Sequence, residues 1–285
     1  MRLKSLHFLA VLIIPCTLIA CAQFSNIGDS PSIPVLGKTG DQKEPIELAL
    51  YYVKFTDHDS YLAREIHQTP YTEDVPKAAI QELLDSTPLT EGAFKILPSK
   101  TKLLGITVTD GLATVNFSKE VLTANVGSSG ETLGIQSVVN TLTEIPEIRE
   151  VSFQVEGLID SRTRDWWGHV GLYEQPFKRN LDKVMEPSVW VTHPVIGQTI
   201  GVPLLIKGST LASQGTVISS LLDSSGKTIT QKSITIPQGK TGRTDFEMEL
   251  TFNPTEKGKG TLLVNRLGSG VNNPGGTVKI PIQWP

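Results

Sequence analysis

The apolar period of this chain changes once, near residue 187, and that change bounds what it can fold into. Before it, alternating apolar runs are interleaved with two stretches of helical spacing; after it, only alternation remains. Ile46 to Val53 is β-branched and aromatic, sits between Pro45 and the polar Thr56-Asp57-His58-Asp59 turn, and predicts a buried strand. Tyr61 to Gln68 is its partner. Asp74 then predicts a helix cap, with Pro76 in the first turn and Val75, Ala78, Ala79 and Leu83 at helical spacing. Leu103 to Thr109 and Leu112 to Phe117 flank Asp110-Gly111, a strong hairpin signal. Ser128-Ser129-Gly130-Glu131 fits a capping box, with Ser128 as cap and Glu131 reaching back. The helix that follows has one apolar face, Ile135, Val138, Val139 and Leu142, and ends at Pro146. Val151, Phe153 and Val155 alternate with polar residues as a half-buried strand. The order ββαββαβ predicts an α+β domain, residues 46–180, with helices on one face of a mostly antiparallel sheet.

The second part is all β. Val189 and Val191, Leu204 to Ile206, Val217 to Leu222, Phe246 to Phe252 and Val278 to Trp284 are separated by turn residues. About seven short strands in roughly 100 residues predict an immunoglobulin-like sandwich over residues 187–285. The sandwich must be held by packing alone, because the chain's two cysteines, Cys16 and Cys21, both precede the first strand.

That cysteine placement also excludes a disulfide framework or a Cys-based zinc site in either domain. With 39% hydrophobic and 19% charged residues the chain can build cores and is not a disordered polymer. A net charge of −3 excludes a general nucleic-acid binder. The charge is unevenly spread: residues 45–180 carry 12 basic and 19 acidic side chains, and residues 181–285 carry 10 and 7. Ordinary surface charge is the preferred reading; contact of the basic half with an anionic wall polymer or with the acidic first domain is the other.

The N-terminus speaks to location. Arg2 and Lys4 precede an apolar run from Leu6 to Ile14, the anatomy of a secretory signal over residues 1–20 and too short to cross a bilayer. Leu18-Ile19-Ala20-Cys21 resembles the lipobox of bacterial lipoproteins. The resemblance implies that the Cys21 thiol receives a diacylglycerol and that cleavage leaves Cys21 as the first residue. Two or three acyl chains anchor a protein stably where one does not. Residues 21–45, rich in Ser, Gly, Pro, Asp and Lys, predict a flexible tether to the outer face of the cytoplasmic membrane. The contrary reading is an ordinary secreted protein with an incidental cysteine.

Further motifs carry a family likeness. Leu50-Tyr51-Tyr52-Val53, Glu73 to Ala78, Leu103 to Val108, Ala113 to Ser118, Gly130-Glu131 and Val138 to Glu144 resemble the GerMN domain of sporulation and spore germination. Val191-Thr192-His193-Pro194, Gly197-Gln198, Gly208, Thr251-Phe252-Asn253-Pro254 and Gly258 to Leu262 are similar to the immunoglobulin-like domain of bacterial spore germination. The resemblance implies a domain of the ring-building type, no catalysis, and action by assembly at the membrane. The best-known member type carries two tandem GerMN domains; here one precedes a sandwich.

Chemistry is sparse. Asp57, His58, Asp59 and Ser60 hold the residue types of a hydrolase triad or a metal site, but neighbours on a turn point apart and the spacing is not that of a calcium loop. Arg64-Glu65-Ile66-His67 lacks the second histidine of a zinc-protease helix and reads as strand. His169 and His193 are isolated. Gly268-Ser269-Gly270 with Gly275-Gly276 precedes a strand rather than a helix, and reads as a hairpin loop. Trp166 and Trp167 form an exposed-looking aromatic pair in an irregular segment, the candidate binding residues. Either they plug the interface between the domains, the preferred reading, or they bind sugars or a partner. The reading is therefore a non-enzymatic envelope lipoprotein without cofactor or metal, acting in sporulation or germination through protein assembly or wall contact. Its partners are membrane lipid, then envelope proteins or peptidoglycan, with a homo-oligomer left open. The alternative is a wall-glycan binding lipoprotein unrelated to sporulation.

Overall fold

The computed structural model describes residues 43–237, 242–254, 257–268 and 275–285. The signal segment, Cys16, Cys21 and nearly all of the tether lie outside them. β1 (Ile46–Phe55) and β2 (Ser60–Thr69) form a hairpin in continuous register, from Ile46 opposite Thr69 to Phe55 opposite Ser60. Thr56 closes its turn, accepting at Oγ1 from the backbone N–H of Asp59 at 3.0 Å. α1 (Val75–Asp85) follows, capped by Asp74, whose carboxylate accepts from the N–H of Lys77. Pro76 is tolerated in the first turn because its missing N–H has no intrahelical partner there.

β3 (Ala93–Phe94) pairs with β1. β4 (Leu103–Thr109) and β5 (Leu112–Phe117) form the expected second hairpin. Its turn puts Asp110 and Gly111 at φ 52° and 86°, both positive, as a two-residue turn of this hand requires. After a 3₁₀ turn at Lys119–Thr123 comes α2 (Ser128–Leu142), then β6 (Glu150–Val155), parallel to β5. α3 (Ser161–Asp165), β7 (Phe177–Lys178) and β8 (Val184–Glu186) complete this part.

The α+β class holds, with the strands dividing into two four-stranded sheets ordered β3-β1-β2-β8 and β4-β5-β6-β7. Leu50, Val53, Leu62, Ile80, Val115, Phe117, Val138, Leu142 and Phe153 share one core. The expected single apolar face of α2 is too narrow a description: Gly130, Glu131, Ser137, Asn140 and Thr141 are buried too. Ser137 Oγ donates to the carbonyl of Tyr51, and Thr141 Oγ1 accepts from its N–H at 3.2 Å. These side chains satisfy β1 backbone beyond the two residues that β3 reaches, so burying polar groups on α2 leaves none of them orphaned.

Among the described residues the sandwich has seven strands: β9 (Val189–His193), β10 (Leu204–Leu211), β11 (Gly215–Asp223), β12 (Thr228–Ile236), β13 (Arg243–Leu250), β14 (Gly258–Leu267) and β15 (Gly276–Trp284). They form sheets β13-β10-β9 and β12-β11-β14-β15 with antiparallel pairing between neighbours. Ile206, Val217, Leu221, Leu262 and Val264 fill the space between the sheets, and Trp284 meets Phe252 edge-on at 5.6 Å. β9 serves both cores: Val189 belongs to the sandwich, whereas the next residue, Trp190, packs into the first domain. Successive strand residues point to opposite faces, so a single strand links the two.

Candidate functional site

The capping box predicted at Ser128 is not formed. Gly127 is the cap residue and, as a glycine, has no side chain to offer, while the Glu131 carboxylate is engaged elsewhere. Its Oε1 accepts from the N–H groups of Trp167 (3.2 Å) and Gly171 (2.8 Å). Its Oε2 accepts from those of His169 (2.8 Å) and Val170 (2.9 Å). A fully buried carboxylate thus organises the irregular segment after α3, where four backbone donors converge on one charge.

This arrangement corrects the reading of Trp166 and Trp167. They are neither an exposed platform nor an interface plug: both are buried, at 4% and 8% exposure, in the core of the first domain. Their rings stack at 5.6 Å, Trp166 lies 5.5 Å from Phe153, and Trp167 Nε1 donates to the carbonyl of Val121 at 2.7 Å. Gly134 makes room, since a Cβ there would lie 2.5 Å from the Trp167 ring. A glycine inside a helix, one turn after a buried glutamate, is the sequence signal that this approach left.

The candidate site is a cleft of about 710 Å³ in the same domain. Its walls are the start of β1, the first turn of α1, the α2–β6 connection and Val108 of β4; Leu48, Val75, Pro76 and Ile148 give it an apolar surface. At one end stands a charged cluster. Glu144 accepts from Arg64 Nε (3.1 Å) and Nη2 (3.3 Å), from Arg179 Nη2 (2.6 Å) and from the Tyr51 hydroxyl (2.5 Å). Burial pushes the Glu144 pKa up, but the two guanidinium groups and the phenol outweigh it and hold the carboxyl down at about 2. The same surroundings raise Tyr51, chiefly through burial and then through the Glu144 charge. All of these groups saturate one another, which gives the cluster a positioning task.

Its reach extends into the sandwich. The Arg64 guanidinium lies 4.9 Å from the centre of the Trp190 ring, and that of Arg243 lies 3.5 Å from it. Arg243 also donates to the carbonyls of Pro187 (2.8 Å), Val184 (3.3 Å) and Ser209 (3.0 Å). Burial pulls its pKa down to about 9. A third polar cluster fixes α1 to β2. His67 Nε2 is 3.0 Å from Glu65 and Nδ1 is 3.1 Å from Glu82, while Glu65 accepts from the N–H groups of Leu89 and Thr90 at 2.7 and 2.6 Å. Burial acts to raise the Glu65 pKa; the bonds from His67, Leu89 and Thr90 prevail and lower it.

Other candidates stay apart. His58 and Asp57 are exposed on the β1–β2 turn, and Asp59 pairs with Lys183 at 3.1 Å. His193 ends β9, and His169 Nε2 meets the carbonyl of Val126 at 2.8 Å. Residues 269–274 of the glycine-rich loop are outside the described residues, as is Cys21. Among the described residues no group of three or more His, Cys, Asp or Glu is placed to hold a metal ion, and no helix is long and apolar enough to cross a membrane.

Residues 49–159 match the family described as sporulation and spore germination (Germane), and residues 188–268 match the immunoglobulin-like domain of bacterial spore germination (Gmad2). The chain carries a Germane domain followed by a Gmad2 domain. The cleft and the Glu144 cluster lie mainly in the Germane part, and Arg243 belongs to the Gmad2 part. No curated protein matches the chain. Among solved structures it is similar to the tandem GerMN domains of the sporulation protein GerM from Bacillus subtilis, at 23% identity and a TM-score of 0.39. That match covers 50% of this chain and 48% of the other, so the chain spans about half the length of that structure. The first GerMN domain of GerM alone gives 23% identity and a TM-score of 0.39, covering 47% of this chain and 98% of that one.

Proposed function

We propose that this chain is an exported lipoprotein that acts without catalysis in sporulation or germination, by assembling with other envelope proteins on the outer face of the cytoplasmic membrane. The observation that carries the reading is the succession of a sporulation and germination domain and a germination-associated sandwich in one chain. The Leu18-Ile19-Ala20-Cys21 motif supports the anchor, and residues 21–45 supply the tether. The charged groups described above favour a structural role, since each is hydrogen-bonded to protein partners rather than directed at a vacant reaction centre. The glycan-binding alternative rested on Trp166 and Trp167 being accessible, and their burial removes that support. The test is fractionation of host cells producing the wild type or Cys21→Ala. The wild type is expected in the membrane fraction and Cys21→Ala released from it; equal retention of both would contradict lipid anchoring.

A further inference from the structure

Four strands end the two sheets of the Germane domain, and three are stubs: β3 and β7 have two residues each and β8 has three. β4 has seven, and no strand pairs with its outer edge among the described residues. An open edge recruits further strands unless it is short, charged, interrupted by proline, bulged along its length or covered. The sandwich edges obey that rule. β12 carries Lys232, β15 carries Lys279 and Pro281, β13 carries Arg243, Asp245, Glu247 and Glu249, and β9 stops at Pro194 after five residues. β4, Leu-Leu-Gly-Ile-Thr-Val-Thr, has neither charge nor proline. Its one irregularity is a bulge at Leu104, which has no partner on β5; Gly105 to Thr109 run in regular register. Leu104 and Val108 are 48% and 40% exposed.

The strand is also complementary to itself. Its midpoint is Ile106. An antiparallel pairing with a second copy about Ile106 sets Leu104 opposite Val108, Gly105 opposite Thr107 and Leu103 opposite Thr109. One step beyond, Lys102 of each copy faces Asp110 of the other. Both are exposed, and neither forms an ion pair among the described residues. On one face Leu104 thus meets Val108 and Ile106 meets its own copy, and opposite charges meet at both ends of the same register. We propose that β4 is a self-association edge, by which two copies pair about a twofold axis through Ile106 and join their β4-containing sheets. One strand pair falls below the roughly 1,000 Å² of a stable interface, so the contact is weak in dilute solution. Confinement on a membrane raises the effective concentration that drives it. The proposal deepens the assembly reading above, but the strand geometry does not depend on the anchor.

The test is disulfide trapping in the full chain. Opposite residues of an antiparallel pair have Cα atoms about 4.5–5.5 Å apart, within the span of a disulfide. In membranes under mild oxidation, Ile106→Cys is expected to give a covalent dimer at least tenfold above the parent chain. Leu104→Cys and Val108→Cys alone stay at the parent level, because each lies about 13–14 Å along the strand from its own copy. Producing those two together restores the dimer and serves as an independent check should Ile106→Cys fold poorly. Adding Lys102→Glu to Ile106→Cys lowers the yield several-fold, and an unchanged yield would contradict this register. Absence of dimer from both Ile106→Cys and the mixed pair, or equal trapping of all single variants, would overturn the proposal. Should the chain prove not to be anchored, the same trapping on concentrated soluble protein carrying Cys16→Ala and Cys21→Ala reads β4 alone, whereas retention of Cys21→Ala reads the anchor alone.

Discussion

Glu131 and Glu144 solve the same problem in two ways, since one carboxylate is fully and the other largely withdrawn from water and each must be compensated where it stands. Glu131 is met by four backbone N–H groups, Glu144 by Arg64, Arg179 and Tyr51. Glu131→Gln keeps the volume but turns an amide toward donors, and is expected to lower unfolding stability by about 1–3 kcal/mol in urea titrations. Trp166 and Trp167 fluorescence should report the same transition. Glu144 makes a prediction about pH. Its folded pKa of about 2 lies below the ordinary 4.5, so its contribution is complete above pH 5 and lost as pH falls toward 2. That contribution is on the order of 3 kcal/mol. Wild type should therefore lose more stability than Glu144→Gln between pH 5 and 2, and parallel losses would contradict the cluster as drawn.

At the scale of elements, the parts legible in the sequence are those whose signal is local. The Asp74 cap, the Asp110-Gly111 turn and the alternation of β6 each depend on neighbours within a few residues, and each stands where the spacing put it. Asp74→Ala should cost about 1 kcal/mol of thermal stability through the lost cap, with the native circular dichroism retained. β7 and β8, of two and three residues, are too short to show a period. The Trp166-Trp167 segment has no period either, and its order comes from Glu131, more than thirty residues upstream. Glu131 itself was misread because a glutamate three residues into a helix is the ordinary mark of a capping box. Gly134→Ala tests the same contact from the other side: it must displace the Trp167 ring, and is expected to destabilise by about 1–3 kcal/mol despite the better helix propensity of alanine.

For the whole molecule, the junction of the two domains rests on Trp190 and Arg243. The composition showed an acidic first half and a basic second half, yet what joins them is the Trp190 ring, packed into the core of the first domain with the Arg64 guanidinium 4.9 Å from its centre, while the half-buried Arg243 lies over the same indole and is held by three backbone carbonyls. No spacing rule reaches from Arg243 to Trp190, 53 residues apart, so this part of the architecture was hidden from the sequence. Arg243→Ala is expected to lose about 2–4 kcal/mol and to split a single calorimetric transition into two, with faster proteolysis between residues 179 and 188. One unchanged transition would show that the junction is held by other groups.

The proposed lipid anchor on this two-domain body is tested most directly by the mass of the N-terminal peptide. Protein extracted from host membranes should begin at Cys21 and carry a diacylglycerol on its thiol. An unmodified Cys21, or a chain cut elsewhere and recovered free of the membrane, would contradict it.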